Sequence, residues 1–271
     1  MNFFTLLRIG LVSVSAIIIT ALSIDAYDTV TGSQGTLLAS LLQSKDVSDC
    51  PTGMVLHPAV TSFRCVDRYE ASPGETCPHQ VVQSVGDSVA NYQTQACTPR
   101  SVAGAHPWTF VNRQQAAALC ARSGKRLPSA LEWYEFSRGA DLLADECVVH
   151  NQSMQVTGSG ETCKSPVGVY DVIGNVWEWV TDDVFDGVYN GRTLPASGYV
   201  AQVDAAGIAT LSKPDPEESF SEAYFWSATE GSFGMVRGGY FGSRSDAGVY
   251  AVQARTNPNE VTPGIGFRCV K

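Results

Sequence analysis

The chain reads as an α+β domain of short strands, two main helices and long irregular loops, stapled by disulfides. Three features predict this. Two segments carry helix-start chemistry followed by a glycine stop. Elsewhere glycine, proline and asparagine recur between brief apolar-aromatic runs, the texture of short strands and loops. The 271 residues also contain eight cysteines, an even number that fits disulfide formation in an oxidising compartment.

From the N-terminus, Arg8 precedes an uncharged run at residues 9–24, IGLVSVSAIIITALSI. A basic start and an apolar centre make a signal peptide, and roughly 20 residues are needed to span a bilayer. Residues 1–26 are therefore expected to be a signal peptide or, if uncut after Ala21-Leu22-Ser23, a membrane anchor. Residues 27–48 form a polar connector carrying one apolar patch, residues 37–42, and the globular domain is placed at 49–271.

Asn112-Arg113-Gln114-Gln115 begins with an N-cap residue and has glutamine three places on, which predicts a helix to about Ser123 closed by Gly124. Ser129-Ala130-Leu131-Glu132 is a full capping box, and Gly139 ends that second helix. Pro128 stops the two from fusing. Pro214-Asp215-Pro216-Glu217-Glu218 reads as an acidic broken loop, and residues 186–212 read with it as a surface excursion.

Composition excludes several roles. Hydrophobic residues at 44% and charged ones at 17% describe a globular chain, and a formal charge of −9 without a Lys/Arg run gives nucleic acid no electrostatic footing. His57, His79, His106 and His150 fall in no metal-ligand spacing, no cysteines form a C-x-x-C pair, and phosphate-loop, dinucleotide and G-x-S-x-G motifs are absent. Asn151-Gln152-Ser153 is a glycosylation sequon.

Four segments then occur in order: Gly53-Met54-Val55-Leu56 leading to Val66-Asp67-Arg68-Tyr69-Glu70-Ala71; Ala118-Leu119-Cys120-Ala121-Arg122-Ser123-Gly124-Lys125-Arg126-Leu127-Pro128 with Glu132-Trp133 and Arg138-Gly139; Gly168-Val169-Tyr170-Asp171-Val172-Ile173-Gly174-Asn175-Val176-Trp177-Glu178-Trp179; and Arg237-Gly238-Gly239 with Gly266-Phe267-Arg268. Together they resemble the formylglycine-generating, or sulfatase-modifying factor, family. The resemblance implies a C-type-lectin-like fold with a modest, twisted, mostly antiparallel sheet. It also implies a disulfide between Cys120 and Cys269. For the other six cysteines, neighbours are the simplest expectation (Cys50–Cys65, Cys77–Cys97, Cys147–Cys163), with other pairings left open by the sequence.

Within the third segment, Asp171 and Glu178 flank a Gly-Asn turn. Their carboxylates, with carbonyls of Gly174 and Val176, make the mixed oxygen shell that calcium prefers. The resemblance implies a structural calcium at such positions, with asparagine commonly first; the alternative is a turn with two solvated acids. Asn151 is a weaker candidate for a second site.

In the fourth segment the resemblance implies a pair of copper-binding cysteines after the Gly-Gly, whereas residues 240–255 contain none. A thiolate supplies soft ligation and redox reactivity that serine or glycine do not. Formylglycine-generating activity and a redox cofactor are accordingly not expected. The tail also resembles the variable proteins of diversity-generating retroelements, which display a binding face on this fold. Tyr240, Phe241, Ser243, Arg244, Ser245, Asp246, Tyr250, Asn257 and Asn259 form the expected contact surface, rings and short polar groups suiting adaptable recognition.

The expected function is a non-catalytic extracytoplasmic binding or assembly module for a protein or glycan at the cell envelope, with a membrane contact if the N-terminus stays uncut. The alternatives are an extracytoplasmic iron- or copper-dependent oxidase, resembling the pyoverdine-maturation branch, and an accessory subunit of a membrane complex or filament.

Overall fold

The computed structural model describes residues 50–57, 62–140 and 146–271, so the N-terminal expectations for residues 1–48 lie outside the described part. Residues Cys50–Lys271 form one unit. Its strands are β1 (Met54–Leu56), β2 (Cys65–Asp67), β3 (Ser72–Pro73), β4 (Pro99–Arg100), β5 (Trp177–Phe185), β6 (Val188–Tyr189), β7 (Arg192–Thr193), β8 (Gly198–Val203), β9 (Ala209–Lys213), β10 (Tyr224–Trp226), β11 (Ser232–Gly238), β12 (Gly248–Thr256) and β13 (Ile265–Gly266); the helices are α1 (Val85–Gln93), α2 (Arg113–Arg122) and α3 (Ala130–Ser137).

The main sheet runs β7-β6-β5-β11-β12-β10-β8-β9, with β13 added to the start of β5. Pairing is antiparallel except β10 with β12 and β13 with β5. β1 with β2 and β3 with β4 make two small antiparallel pairs. Trp108, Trp133, Trp179, Phe136, Phe225, Phe267, Leu119 and Leu127 fill one core and are all but sealed from solvent. Four disulfides join Cys50–Cys65, Cys77–Cys97, Cys120–Cys269 and Cys147–Cys163.

Both expected helices form with their boxes closed. Asn112 Oδ1 accepts from Gln115 N at 2.8 Å while Gln115 Oε1 accepts from Asn112 N at 3.0 Å. Ser129 and Glu132 make the same reciprocal pair. Gly124 (φ +66°) and Gly139 (φ +82°) follow the helix ends in the left-handed region.

Helix α1 is a third one that was not anticipated, although Ser84 Oγ accepts from Asp87 N at 3.2 Å, a start signal of the same kind as the other two. Polar bonds also fix it to the rest of the domain. Ser88 Oγ accepts from the buried Trp108 indole N–H at 3.1 Å, and Asn91 clamps the backbone N–H and carbonyl of His79, each at 2.8 Å.

Residues 186–212 are not a surface excursion. They build β6 to β9, and Ile208, Ala209 and Val200 are buried. The cause is Arg237, fully buried on β11. Its Nη1 donates to the carbonyls of Ala130 and Ala206 at 2.7 and 2.6 Å, and its Nη2 to those of Val249 and Gly207 at 3.0 and 3.3 Å. The guanidinium lies 4.8 Å from the Trp133 ring centroid. Burial pulls its pKa down to about 10, so it stays charged at neutral pH. Four carbonyls and an aromatic face replace the missing carboxylate. At Gly207 (φ +66°) a Cβ would sit 2.5 Å from the Tyr134 ring, so the turn over the core needs glycine.

Candidate functional site

The loop from Asp171 to Glu178 is bent by three left-handed residues, Asp171 (φ +57°), Gly174 (φ +79°) and Asn175 (φ +55°). A Cβ on Gly174 would lie 2.3 Å from the Val148 carbonyl oxygen, so the chains touch there only because the residue is glycine. The bend delivers two acids into the core, where neither is a solvated turn residue: Asp171 is 2% exposed and Glu178 1%.

Glu178 meets Arg268. Arg268 Nε donates to both carboxylate oxygens at 2.8 and 2.7 Å, and Nη2 adds a 2.5 Å bond to Oε1. The Trp133 indole N–H donates to Oε2 at 2.7 Å. Arg268 also donates to the carbonyls of Asp67 and Tyr170 at 3.1 and 2.8 Å. Burial disfavours its charge, yet the Glu178 carboxylate outweighs that and raises its pKa.

Glu70 stands beside this pair, fully buried. It accepts from Asn175 Nδ2 at 2.5 Å and from Val176 N at 3.1 Å. Burial, and then the charges of Asp171 and Glu178, push its pKa well above the carboxylate range. Asp171 accepts from Gly158 N at 2.7 Å, and burial lifts its pKa to about 6. Three buried carboxyls thus face one guanidinium. Sequence reasoning passed over Glu70, although an acid three residues beyond the end of β2 was its visible signal.

The donor atoms here are oxygens, the chemistry a hard cation prefers, although among the described residues no three acidic, histidine or cysteine side chains converge as a metal site. Glu178 fits it less well, since both its oxygens already take two donor contacts each. Asp171, with one hydrogen bond from Gly158, is the acid with an oxygen to give. Gly174 and Val176 lie on the same bend. Asn151 is exposed, and its N–H donates to the Phe241 carbonyl at 2.7 Å.

The expected contact surface splits into separate places. Tyr240 and Phe241 pack edge to face at 4.9 Å and line a cavity of about 330 Å³ with Trp177, Gln253 and Glu260. Arg244, held at φ +56°, and Ser245 open onto a second cavity of about 360 Å³ with His150 and Ile173. Asp246 beside them is half-buried, and burial raises its pKa. Asn259 lies on a third cavity with Arg113, and Asn257 caps its N–H at 2.9 Å.

Two of the nine face inward. Ser243 is 9% exposed and accepts from Tyr240 N at 2.9 Å, which shapes the turn rather than the surface. Tyr250 is half-buried, its ring 5.9 Å from Tyr134 and 5.2 Å from Phe220.

No cysteine occurs at residues 240–255, and all eight in the chain are engaged in the four disulfides. Such bonds mark folding in an oxidising compartment. No helix among the described residues is long and apolar enough to cross a membrane.

Residues 19–271 match the model of the sulfatase-modifying factor enzyme 1-like domain. The chain is 27% identical over 174 residues to the serine/threonine-protein kinase Pkn1 of Chlamydia trachomatis serovar L2, covering 61% of this chain and 24% of that protein. It is 27% identical over 191 residues to the formylglycine-generating enzyme of Thermomonospora curvata, covering 60% of this chain and 55% of that one. It thus spans about a quarter of the first relative and about half of the second. Among solved structures, the Major Tropism Determinant P3c variant aligns over 82% of this chain and 52% of its own, with a TM-score of 0.46 and 19% identity. The family model covers residues 19–271, most of the chain's length, and the chain belongs to the sulfatase-modifying factor family.

Proposed function

We propose that this chain is a non-catalytic, extracytoplasmic member of its family, a module that binds a protein or glycan at the cell envelope through residues 240–259. One observation carries the reading: each of the eight sulfur atoms that might serve as a thiolate is tied in a disulfide. Copper–thiolate chemistry at residues 240–255 therefore has no ligand to start from. In place of a reactive pair stand Tyr240 and Phe241 beside one cavity, and Arg244 and Ser245 beside another.

A photo-crosslinker at exposed Ser245, applied to envelope extracts, should trap one dominant partner. Tyr240→Ala should weaken that capture about tenfold, as loss of an aromatic anchor does, with the domain still folded. Capture that ignores Tyr240→Ala removes the contact face. Oxygen uptake by the iron- or copper-loaded chain with a phenolic or thiol substrate removes the non-catalytic reading in favour of the oxidase.

Calcium belongs to the same proposal. Asp171 would hold it with the carbonyls of Gly174 and Val176, and Glu178 would join only by releasing one contact from Arg268. The ion would offset the surplus of buried acid charge and stiffen the bend. Saturating calcium should raise the melting temperature by roughly 5–10 °C over the chelated protein, with magnesium giving much less. Identical melts in calcium and in chelator, with no heat on titration, would assign these acids to hydrogen bonding alone.

A further inference from the structure

We infer that the cavity between Tyr240 and Glu260 takes a compact alkylammonium cation of the choline type. This deepens the module reading and rests on it, since Tyr240 and Phe241 belong to the same contact face.

Three of the ten lining residues are aromatic, and the one formal charge among the ten is negative. Trp177 opens β5, Tyr240 and Phe241 follow β11, and Gln253 on β12 and Glu260 close the sides, with no lysine or arginine in the lining. The Glu260 side chain is exposed and enters no ion pair among the described residues. A free carboxylate at the rim of a ring-lined cavity complements a cation. The faces of aromatic rings carry the negative end of their quadrupole and attract the same charge.

Ring orientation decides between this ligand and a sugar. Tyr240 and Phe241, the more open rings of the lining, are inclined at 69°. A sugar chain stacks on flat, roughly coplanar rings. Rings set at such angles give it edges, whereas a small near-spherical cation can touch several faces turned different ways.

The anchor ring is already set before any ligand arrives. A Cβ on Gly242 would lie 3.2 Å from the Tyr240 ring and one on Gly264 3.3 Å from it, so backbone stands close on two sides. The Tyr240 N–H is tied to Ser243 Oγ, and Trp177 is only 5% exposed. Little side-chain freedom remains to be lost on binding.

The test is a calorimetric and tryptophan-fluorescence titration of the purified chain, without any partner, using choline, its uncharged isostere 3,3-dimethylbutan-1-ol, and methyl β-glucoside. Choline should bind saturably and about tenfold tighter than the isostere, the share that a ring-bound charge contributes. Glu260→Gln, at an exposed position, should lower choline affinity several-fold with an unchanged melt, and Phe241→Leu should lower it further. Choline binding together with partner capture that ignores Tyr240→Ala would sink the module reading alone. Equal affinity for choline and the isostere, preference for the glucoside, or no binding of choline while Tyr240-dependent capture persists would each overturn the cation site.

Discussion

Arg268→Met should cost the domain about 3–5 kcal/mol, enough to leave much of it unfolded at 37 °C. Methionine matches the apolar stem but removes the one guanidinium among the described residues that faces Glu70, Asp171 and Glu178, three carboxyls that are each 2% exposed or less. Glu178 would be left charged in the core with only the Trp133 indole N–H at 2.7 Å. The carbonyls of Asp67 and Tyr170 would also lose their donor. The compensating variant carries the sharper test. Arg268→Met with Glu178→Leu removes both charges, and urea unfolding should show it more stable than Arg268→Met alone, because an unpaired buried charge costs more than an absent pair. A single variant within about 1 kcal/mol of the natural chain, or a double variant worse than the single, would contradict this account of the hub.

The second large effect concerns Cys120–Cys269. Its sequence separation is 149, against 15 to 20 for the other three bridges. In the chain-entropy view, closing so long a loop stabilises by about 4–5 kcal/mol, and a 15-residue loop by about 3. The bridge also ties α2 to the segment that carries Arg268. Cys120→Ala with Cys269→Ala should therefore lower the urea midpoint more than Cys50→Ala with Cys65→Ala does. Equal losses would show that native packing, rather than restriction of the unfolded chain, sets the contribution of these bridges.

What the sequence disclosed, and what it hid, follows from the range of the forces involved. Asn112 with Gln115 and Ser129 with Glu132 act over three residues, so both helices could be read directly. Helix α1 carries a start signal of the same range, Ser84 Oγ accepting from Asp87 N at 3.2 Å, and was missed because the residues it buries are the polar Ser88 and Asn91, bonded to Trp108 and His79, rather than an apolar stripe. Residues 186–212 were misjudged for a similar reason: the group that pins them, Arg237, lies 30 residues or more from the carbonyls of Ala206 and Gly207. At the site, the Asp171–Glu178 bend was legible from Gly174 and Asn175. That Glu178 would face Arg268, and that Glu70 would join them, depended on separations of 90 and 105 residues. The tail showed its missing cysteines plainly. It could not show that Ser243 turns inward while Tyr240 and Arg244 open onto different cavities.

The threading of the last segment has a consequence for how the protein is made. Lys271 exchanges backbone bonds with Cys65 and accepts one from Arg64 N, Val270 exchanges a pair with Arg126, and Ile265–Gly266 lie beside the start of β5. The bridge of Cys120 thus waits for a residue translated 149 positions later. Three bridges join consecutive cysteines, but this one encloses Cys147–Cys163. An oxidant acting on thiols in order of emergence would link Cys120 to Cys147 and leave Cys163 and Cys269 to each other. Under that order, maturation would call for thiol–disulfide reshuffling, and a host compartment with an oxidase but no isomerase should accumulate the mispaired form.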